Sequence, residues 1–388
     1  MEISACVKYV GVNDHQVDLF EGQYKVPNGM SYNSYVILDE KIAVMDTVDG
    51  FFTEEWLNNV EQVLDGKMPD YLVIQHMEPD HSASIPAFLK KYPKVTVVST
   101  AKGFQFMEQF FPEFFAGQGL PAEQRIVAAN DGVLELGQHS LHFVYAPMVH
   151  WPEVMMTYEA TEKILFAADG FGKFGALDVE EEWTDEARRY YIGIVGKYGP
   201  QVQAVLKKAA GLDIQTICSL HGPVLKENLG FYLEKYDKWS SYQPEESGVV
   251  IAYASVYGNT RNAAEYLADV LQEKGQKTVL YDLARCDKAK AVADAFRYDR
   301  LVLAGITYNG DLFPCMRSFI EGLTERNYQN RKVAIIENGT WAPMAGKLIL
   351  GMFEKSKNLT FTETKVSIKS AMNAQNKEEI GKLAEEFC

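Results

Sequence analysis

The stretch YLVIQHMEPDHSAS, residues 71–84, places four potential metal ligands directly after an apolar run. The apolar residues YLVI predict a buried β-strand, and His76, Glu78, Asp80 and His81 follow it within six positions. His76 and Glu78 are two apart in an extended segment, so their side chains point the same way. Taken alone, this stretch is compatible with a solvated surface turn or with a metal site.

Three further apolar runs end in a potential metal ligand. The runs FVYAPMV, KILFAA and TICSL lead into His150, Asp169 and His221. In α/β folds the carboxyl ends of strands are where sites assemble. With the first stretch, these residues give four imidazoles and three carboxylates, enough for two metal ions with one bridging carboxylate. Such ligands suit zinc and iron alike, so a zinc hydrolase and an iron oxidoreductase both stay open.

The other histidines and the cysteines predict no further site. His15 and His139 lie in polar stretches and His142 alternates with Phe143 in a strand, so we expect all three to be structural or solvated. The five cysteines include no C-x-x-C pair. This spacing predicts neither a disulfide framework nor a cysteine metal knuckle.

Length and charge limit the class of protein. A chain of 388 residues predicts two or three domains. Its net charge of −15 comes entirely from residues 1–247, since residues 248–388 are slightly positive. This acidic balance and the absence of a basic stripe argue against nucleic acid as a partner. No apolar run reaches the roughly 18 residues of a membrane span, and the first residues lack a signal-peptide pattern, so we expect a cytoplasmic protein.

A domain boundary is predicted at the polar stretch SSYQPEESG, residues 240–248, which gives domains 1–247 and 248–388. Before it, strand and helix patterns are mixed, including a helix over 53–66 with Thr53 as its N-cap and a helical stretch over 186–211 interrupted near Gly199. After it, the strands at 248–255, 277–283, 300–306 and 332–338 alternate with helices. This alternation predicts a doubly wound parallel sheet.

Three loops follow strands of that sheet and carry small, hydroxylated and aromatic residues. They are Ser255, Val256, Tyr257, Gly258, Asn259 and Thr260; Thr307, Tyr308, Asn309 and Gly310; and Asn338, Gly339, Thr340 and Trp341. We call them the flavin loops. The first offers backbone N–H groups at a helix N-terminus for a phosphate, and the other two offer aromatic rings for a flat cofactor. No ATP-binding or dinucleotide-binding glycine motif is present.

With these motifs in place, the chain resembles the flavodiiron proteins, or A-type flavoproteins, over nearly its whole length. The resemblance rests on H-x-E-x-D-H at 76–81, on the eighteen residues between His150 and Asp169, and on HGP at 221–223. The stretch GMSYNSYVILDEKIAVMDTV, 29–48, looks like the family's opening hairpins. The resemblance implies an α/β fold: a metallo-β-lactamase-like αββα domain over 1–247 and a flavodoxin-like domain over 248–388.

The resemblance also implies the cofactors and their ligands. One iron would be bound by His76, Glu78 and His150, the other by Asp80, His81 and His221, with Asp169 as the bridge and no separate catalytic acid or base assigned. FMN would bind the flavin loops. A head-to-tail homodimer, or a dimer of dimers, would bring Trp151 toward the flavin of a partner subunit.

The implied function is reduction of O2 to water and/or of NO to N2O. No rubredoxin or flavin-reductase segment follows, so an external electron donor such as rubredoxin is expected. Two alternatives stay open: a zinc hydrolase with an accessory flavodoxin domain, opposed by Glu78 where zinc enzymes of this fold carry His, and an electron carrier or redox sensor with a vestigial metal domain. Glu153 and Asp311 depart from the Asp and Gly expected at these positions, and both bear on the flavin environment.

Overall fold

The structure, a computed structural model, describes residues 3–117 and 119–388. The chain forms two compact units, which are described separately. The first comprises Met1–Tyr190 and Pro200–Tyr236, and the second comprises Tyr191–Gly199 and Asp237–Cys388. The predicted boundary between residues 247 and 248 stays a prediction.

The strands of the first unit are short and form two main sheets. In chain order they are β1 (Val7–Tyr9), β2 (Val12–Asp14), β3 (Leu19–Phe20), β4 (Tyr24–Lys25), β5 (Met30–Tyr32), β6 (Tyr35–Ile37), β7 (Ala43–Met45), β8 (Tyr71–Val73), β9 (Thr96–Ser99), β10 (Arg125–Val127), β11 (Val133–Glu135), β12 (Ser140–Tyr145), β13 (Met155–Glu159), β14 (Ile164–Phe166) and β15 (Thr216–Cys218). One sheet has the order β1-β6-β7-β8-β9-β10 and the other β11-β12-β13-β14-β15.

The helices in this part of the chain are α1 (Thr53–Leu64), α2 (Pro79–Ser82), α3 (Ile85–Lys91), α4 (Ala101–Phe110), α5 (Pro112–Ala116), α6 (Trp183–Tyr190), α7 (Gly199–Ala209) and α8 (Leu229–Ser240). Thr53 is the first residue of α1 and not its N-cap, so that prediction was wrong. A 3₁₀ turn over Gly50–Phe52 precedes the helix, and Asp49 caps that turn by accepting from the backbone N–H of Phe51. The capping signal therefore lies four residues upstream of the predicted one.

The core of the first unit lies between its two sheets. Buried side chains from one sheet, such as Tyr35 and Val73, belong to the same apolar cluster as Leu141 and Phe166 from the other. The rings of Tyr35 and Phe166 meet edge to face at 5.4 Å across this interface. A two-layer packing of this kind leaves the strand ends, and the loops that follow them, at the rim of the sandwich.

The second unit is a parallel sheet with helices between its strands. The strands are β16 (Glu246–Tyr253), β17 (Thr278–Asp282), β18 (Tyr298–Tyr308), β19 (Asp311–Leu312), β20 (Arg331–Asn338), β21 (Leu359–Phe361) and β22 (Val366–Ile368). The helices are α9 (Asn259–Glu273), α10 (Lys288–Arg297), α11 (Pro314–Thr324), α12 (Ala345–Met352) and α13 (Ala374–Glu386).

The order of this sheet is β17-β16-β18-β20, with β21 and β22 both pairing with the outer edge of β20. All of these pairs are parallel, and only the short β19 is antiparallel to its neighbour. The strand order reverses between β16 and β18, because β17 lies on one side of β16 and all later strands lie on the other, and ligands of doubly wound sheets bind at such a point. An αββα sandwich followed by a doubly wound parallel sheet confirms the predicted fold class. Within the described residues, no helix is long and apolar enough to cross a membrane.

Replacing Phe166 by Ala tests the packing between the sheets. We expect Phe166→Ala to lower the free energy of unfolding of the first unit by about 3–5 kcal/mol, because a fully buried ring leaves a cavity. Phe51→Ala is the matched control, since that ring is 97 % exposed, and it should change stability by less than about 0.5 kcal/mol. Denaturant unfolding measures both, and equal effects would contradict the described core.

Candidate functional site

The predicted metal ligands come together at the rim of the first unit. They are supplied by the loop after β8, by α2, and by the segments before β13, after β14 and after β15, as His76, Glu78, Asp80, His81, His150, Asp169 and His221. Pro79 occupies the first position of α2, so the chain turns from an extended segment into a helix between Glu78 and Asp80. The turn separates the ligands into two groups.

The first group consists of His76, Glu78, His150 and Asp169, whose ligand atoms all lie within 4.8 Å of one another. Oε2 of Glu78 lies 3.1 Å from Nε2 of His76 and 3.0 Å from Nε2 of His150. Oδ2 of Asp169 lies 3.5 Å and 3.2 Å from the same nitrogens. Atoms this far apart can share one cation at bond lengths of about 2.1 Å.

The second group consists of Asp80, His81 and His221. Nε2 of His81 lies 3.0 Å from Nε2 of His221, and Oδ2 of Asp80 lies 3.4 Å and 3.3 Å from these two nitrogens. Two imidazole nitrogens that face each other this closely either share a proton or face a common cation. The nearby carboxylate favours a cation.

Asp169 lies between the two groups. While its Oδ2 faces the first group, its Oδ1 lies 3.3 Å from Nε2 of His81 and 4.0 Å from Nε2 of His221. Both of its carboxylate oxygens and both of those of Asp80 are buried without a hydrogen-bond partner among the described residues. Unpartnered buried carboxylates are costly, and a cation on each side of Asp169 would compensate them. The residues therefore fit a pair of metal ions.

The pKa values of the clustered residues are shifted by the opposite charges of the imidazoles and the carboxylates. Burial lowers the pKa of His150, but Asp169 and Glu78 outweigh it and raise that pKa to about 9. Burial likewise raises the pKa of Glu78 and Asp169, and the surrounding imidazoles outweigh it and lower both. The carboxylates thus stay ionised, as ligands of a hard or borderline cation must be.

In the second unit, the flavin loops lie at the carboxyl ends of β16, β18 and β20, three adjacent parallel strands, and Thr307, Tyr308 and Asn338 are still part of their strands. In the first loop, Gly258 has a φ of 91° and its N–H donates to Oγ of Ser255 at 3.1 Å. This turn places the first N–H groups of α9 at the sheet edge, where they can bind a phosphate. The aromatic rings of Tyr257 and Trp341 are 93 % and 82 % exposed beside it. An open edge with free rings and helix N–H groups fits FMN.

The second flavin loop is hydrogen-bonded to the segment that follows the third flavin loop. Oγ1 of Thr307 accepts hydrogen bonds from the backbone N–H groups of Met344 at 2.8 Å and Ala345 at 3.1 Å. Asn309 and Gly310 have φ angles of 51° and 73°, as a tight hairpin between β18 and β19 requires. The departure Asp311 begins β19 and forms an ion pair with Arg317. These contacts fix the backbone of the second flavin loop and of the segment that follows Trp341.

Comparison with known proteins gives the same two-part organisation. Residues 30–222 match the ODP family beta lactamase model, and residues 250–363 match the flavodoxin domain model. The fold is similar to that of rubredoxin oxygen:oxidoreductase from Desulfovibrio gigas, with a TM-score of 0.91, 25 % identity, and coverage of 99 % of this chain and 96 % of that one. The flavodiiron protein of Giardia intestinalis gives a TM-score of 0.91 at 26 % identity, covering 100 % and 97 %.

This chain belongs to the flavodiiron protein family. The anaerobic nitric oxide reductase flavorubredoxin of Vibrio vulnificus is also similar, at 28 % identity over 349 residues, or 86 % of this chain and 69 % of that protein. The family recognition made from the motifs is confirmed.

In this flavodiiron chain, Glu153 contacts the predicted metal ligand His76. Its Oε1 lies 2.8 Å from Nδ1 of His76 and accepts from the backbone N–H of Met77 at 2.9 Å. Asp46, which the sequence analysis missed, accepts at 2.7 Å from the N–H of Gln75, the residue before His76. Carboxylates behind a ligating histidine fix its tautomer and its orientation.

His221 is also oriented by a contact at its Nδ1 atom. Its Nδ1 lies 2.8 Å from the backbone oxygen of Ser31, and the N–H of Gly222 donates to Oγ of Ser31 at 2.8 Å. Gly222 has a φ of 78°, and a Cβ there would lie 2.8 Å from Cγ of Lys173. The HGP motif therefore requires glycine at this position for both conformation and space.

Three aromatic rings that were not predicted as part of the site lie close to the predicted metal ligand His221. The rings of Phe20, Tyr32 and Tyr190 lie 5.4, 6.0 and 5.5 Å from that of His221. The ring of Trp151, predicted to face a partner's flavin, lies 5.3 Å from that of His76. No short-range motif connects Phe20, Tyr32 and Tyr190 with His221, because these residues come from distant parts of the chain.

Replacing Glu153 by Ala tests its positioning role. We expect Glu153→Ala to weaken metal binding by about 10–100-fold, because His76 loses the partner that orients it. Metal retained during competition with a chelator measures the effect, with the exposed Glu113→Ala as the control. Metal retention equal to that of the unmodified protein would contradict this role.

Replacing Trp341 by Ala tests the flavin loops. We expect Trp341→Ala to weaken FMN binding by about tenfold, because a stacking ring is lost, while the metal content stays unchanged. FMN fluorescence on titration of the flavin-free protein measures the affinity, and Leu280→Ala, at an exposed position of β17, is the control. Equal FMN affinities in the two variants would count against this assignment.

Proposed function

We propose that this protein reduces O2 to water and/or NO to N2O at the seven-residue centre, with electrons from an external donor such as rubredoxin. It is an oxidoreductase of the flavodiiron family. The observation that carries the proposal is the position of Asp169, whose two oxygens face two different ligand groups. A centre for two adjacent metal ions suits reduction of a diatomic gas, which requires several electrons delivered together.

The ligand assignment follows the two groups. His76, Glu78 and His150 would hold one iron, Asp80, His81 and His221 the other, and Asp169 would bridge them. FMN would bind the flavin loops, with its phosphate at the N-terminus of α9. When bound, two irons and one FMN supply up to four electrons, the number that reduction of O2 to two waters requires.

Residues around the seven-residue centre orient its histidines and limit the access of water to them. Glu153 and the carbonyl of Ser31 hold His76 and His221 at Nδ1, which leaves each Nε2 directed into the centre. Phe20 and Tyr190 cover His221 with apolar ring surface, which limits the access of water. A small, weakly polar gas needs no hydrogen-bonding pocket, so this lining does not hinder it.

We propose both O2 and NO as substrates and a homodimer as the assembly. One relative is named an oxygen oxidoreductase and another a nitric oxide reductase, so both gases are kept. A head-to-tail homodimer, or a dimer of dimers, would bring Trp151 toward the flavin of a partner subunit. The rubredoxin donor and the cytoplasmic location stay predictions. Glu78 in place of a histidine, together with the family membership, disfavours the zinc hydrolase alternative.

Gas consumption by the purified protein tests the proposal. With reduced rubredoxin as donor, we expect consumption of O2 or, under anaerobic conditions, of NO, in samples that contain about two irons and one FMN per chain. The ratio of the two rates identifies the preferred gas. Zinc in place of iron, with neither gas consumed, would refute the proposal and favour the hydrolase.

Replacing Asp169 by Ala tests the bridge. We expect Asp169→Ala to lower both iron content and gas consumption by at least tenfold, because each ligand group loses one carboxylate oxygen, while FMN stays bound. Asp178→Ala, which removes an exposed carboxylate of the same unit, is the control. Full iron content with full activity in Asp169→Ala would refute the bridging role.

A further inference from the structure

A second set of potential metal ligands lies in the first unit, at loops that the proposed function does not use. Cys6 directly precedes β1, His139 precedes β12, and Glu162 lies in the turn between β13 and β14. Their ligand atoms all lie within 4.8 Å of one another. The polar stretch around His139 predicts a structural or solvated residue, and nothing nearby in the sequence indicates these partners.

Hydrogen bonds to Leu38 and to the side chain of Asp39, neighbours in the loop after β6, hold Cys6 and His139 beside each other. The N–H of Leu38 donates to the backbone oxygen of Cys6 at 2.9 Å, and the next residue, Asp39, accepts from the backbone N–H of His139 at 2.7 Å. Gly137 makes this approach possible, because a Cβ there would lie 2.9 Å from Oδ1 of Asp39. The backbones of Cys6 and His139 are therefore held close together, which brings the thiol near the imidazole.

The turn that carries Glu162 is fixed in the same way. Both carboxylate oxygens of the buried Glu159 accept backbone hydrogen bonds, from Thr161 at 2.8 Å and from Glu162 at 2.6 Å. Oγ1 of Thr161 donates to the backbone oxygen of Gln138, the residue before His139, at 2.8 Å. These bonds orient Glu162 toward the imidazole.

The imidazole of His139 has one oriented nitrogen and one that faces the other ligands. Oδ2 of Asp39 lies 2.8 Å from Nδ1, which is the arrangement found behind metal-ligating histidines. Oε1 of Glu162 lies 3.3 Å from Nε2, long for a hydrogen bond in an ion pair. Two ligands about 2.1 Å from one tetrahedral cation lie about 3.4 Å apart, which matches this separation.

The charges around the cluster favour a cation. The side chains of Asp39 and His139 are 5 % and 6 % exposed, and Glu159 is fully buried, so three carboxylates surround one imidazole. The pKa of Cys6 is raised by burial and by the charges of Glu162 and Asp39. A bound divalent cation would offset the carboxylates and stabilise the thiolate.

We propose that Cys6, His139 and Glu162 form a second metal site, separate from the seven-residue centre, with Asp39 as the residue that positions His139. One thiolate, one imidazole and one carboxylate make a ligand set for Zn²⁺ or a similar borderline cation, with a fourth position left for water. The competing explanation is that His139 is an imidazolium held between Asp39 and Glu162, with no metal.

Anaerobic titration of the purified, iron-loaded protein with Co²⁺ separates the two explanations. Co²⁺ bound to a thiolate gives a charge-transfer absorption band, and the seven-residue centre contains no sulfur ligand. We expect the band to saturate at one Co²⁺ per chain and to disappear when Zn²⁺ is added. Cys6→Ser should abolish the band, and Cys286→Ser, which changes another half-buried cysteine, should retain it.

A second variant keeps the thiol in place. Glu162→Gln should lower the affinity for Co²⁺ by at least tenfold while the protein stays folded, because Glu162 is partly exposed. The absence of a band in the unmodified protein, or a band that survives Cys6→Ser, would overturn the proposal. An affinity unchanged by Glu162→Gln would remove Glu162 from the site.

Discussion

Four buried imidazoles and three carboxylates, of which only Glu78 is partly exposed, lie together at the ends of the strands of the first unit, and such a group requires charge compensation. The carboxylate oxygens of Asp80 and Asp169 lack hydrogen-bond partners. Two divalent cations would balance three carboxylates to within one charge. Glu153 and the backbone oxygen of Ser31 contact the Nδ1 atoms of His76 and His221 and so hold these side chains in place. The positive φ of Gly222 belongs to the turn that directly follows His221.

Each unit forms its predicted site from residues at the ends of its strands, but the two sites differ in kind. In each, strand ends deliver polar or aromatic residues to one rim, while apolar side chains fill the core behind them. The sandwich offers side-chain ligands in a buried place, which suits metal ions. The doubly wound sheet offers backbone N–H groups and exposed rings, which suit a phosphate-bearing, flat cofactor. An enzyme that collects electrons at one site and uses them at another needs both.

The fold class and the clustering of the seven predicted metal ligands could be predicted from the sequence, because both have short-range signals. Each ligand ends an apolar run or lies in H-x-E-x-D-H, and each flavin loop follows a strand. The rings of Phe20 and Tyr190, the support from Asp46, and the partners of His139 depend on contacts between distant segments, which have no such signal. The predicted break near Gly199 was only part of the irregularity: a π-helical turn over Tyr191–Val195 and a 3₁₀ turn over Gly196–Tyr198 separate α6 from α7, which begins at Gly199.

The central claim is that Asp169 joins two metal ions into one coupled centre. Mössbauer spectroscopy of the protein loaded with ⁵⁷Fe, at low temperature and in an applied magnetic field, tests it most directly. The account predicts two iron sites in equal amounts whose spins are coupled, with a diamagnetic ground state in the diferric form. Two magnetically independent ferric ions, or a single iron per chain, would contradict it.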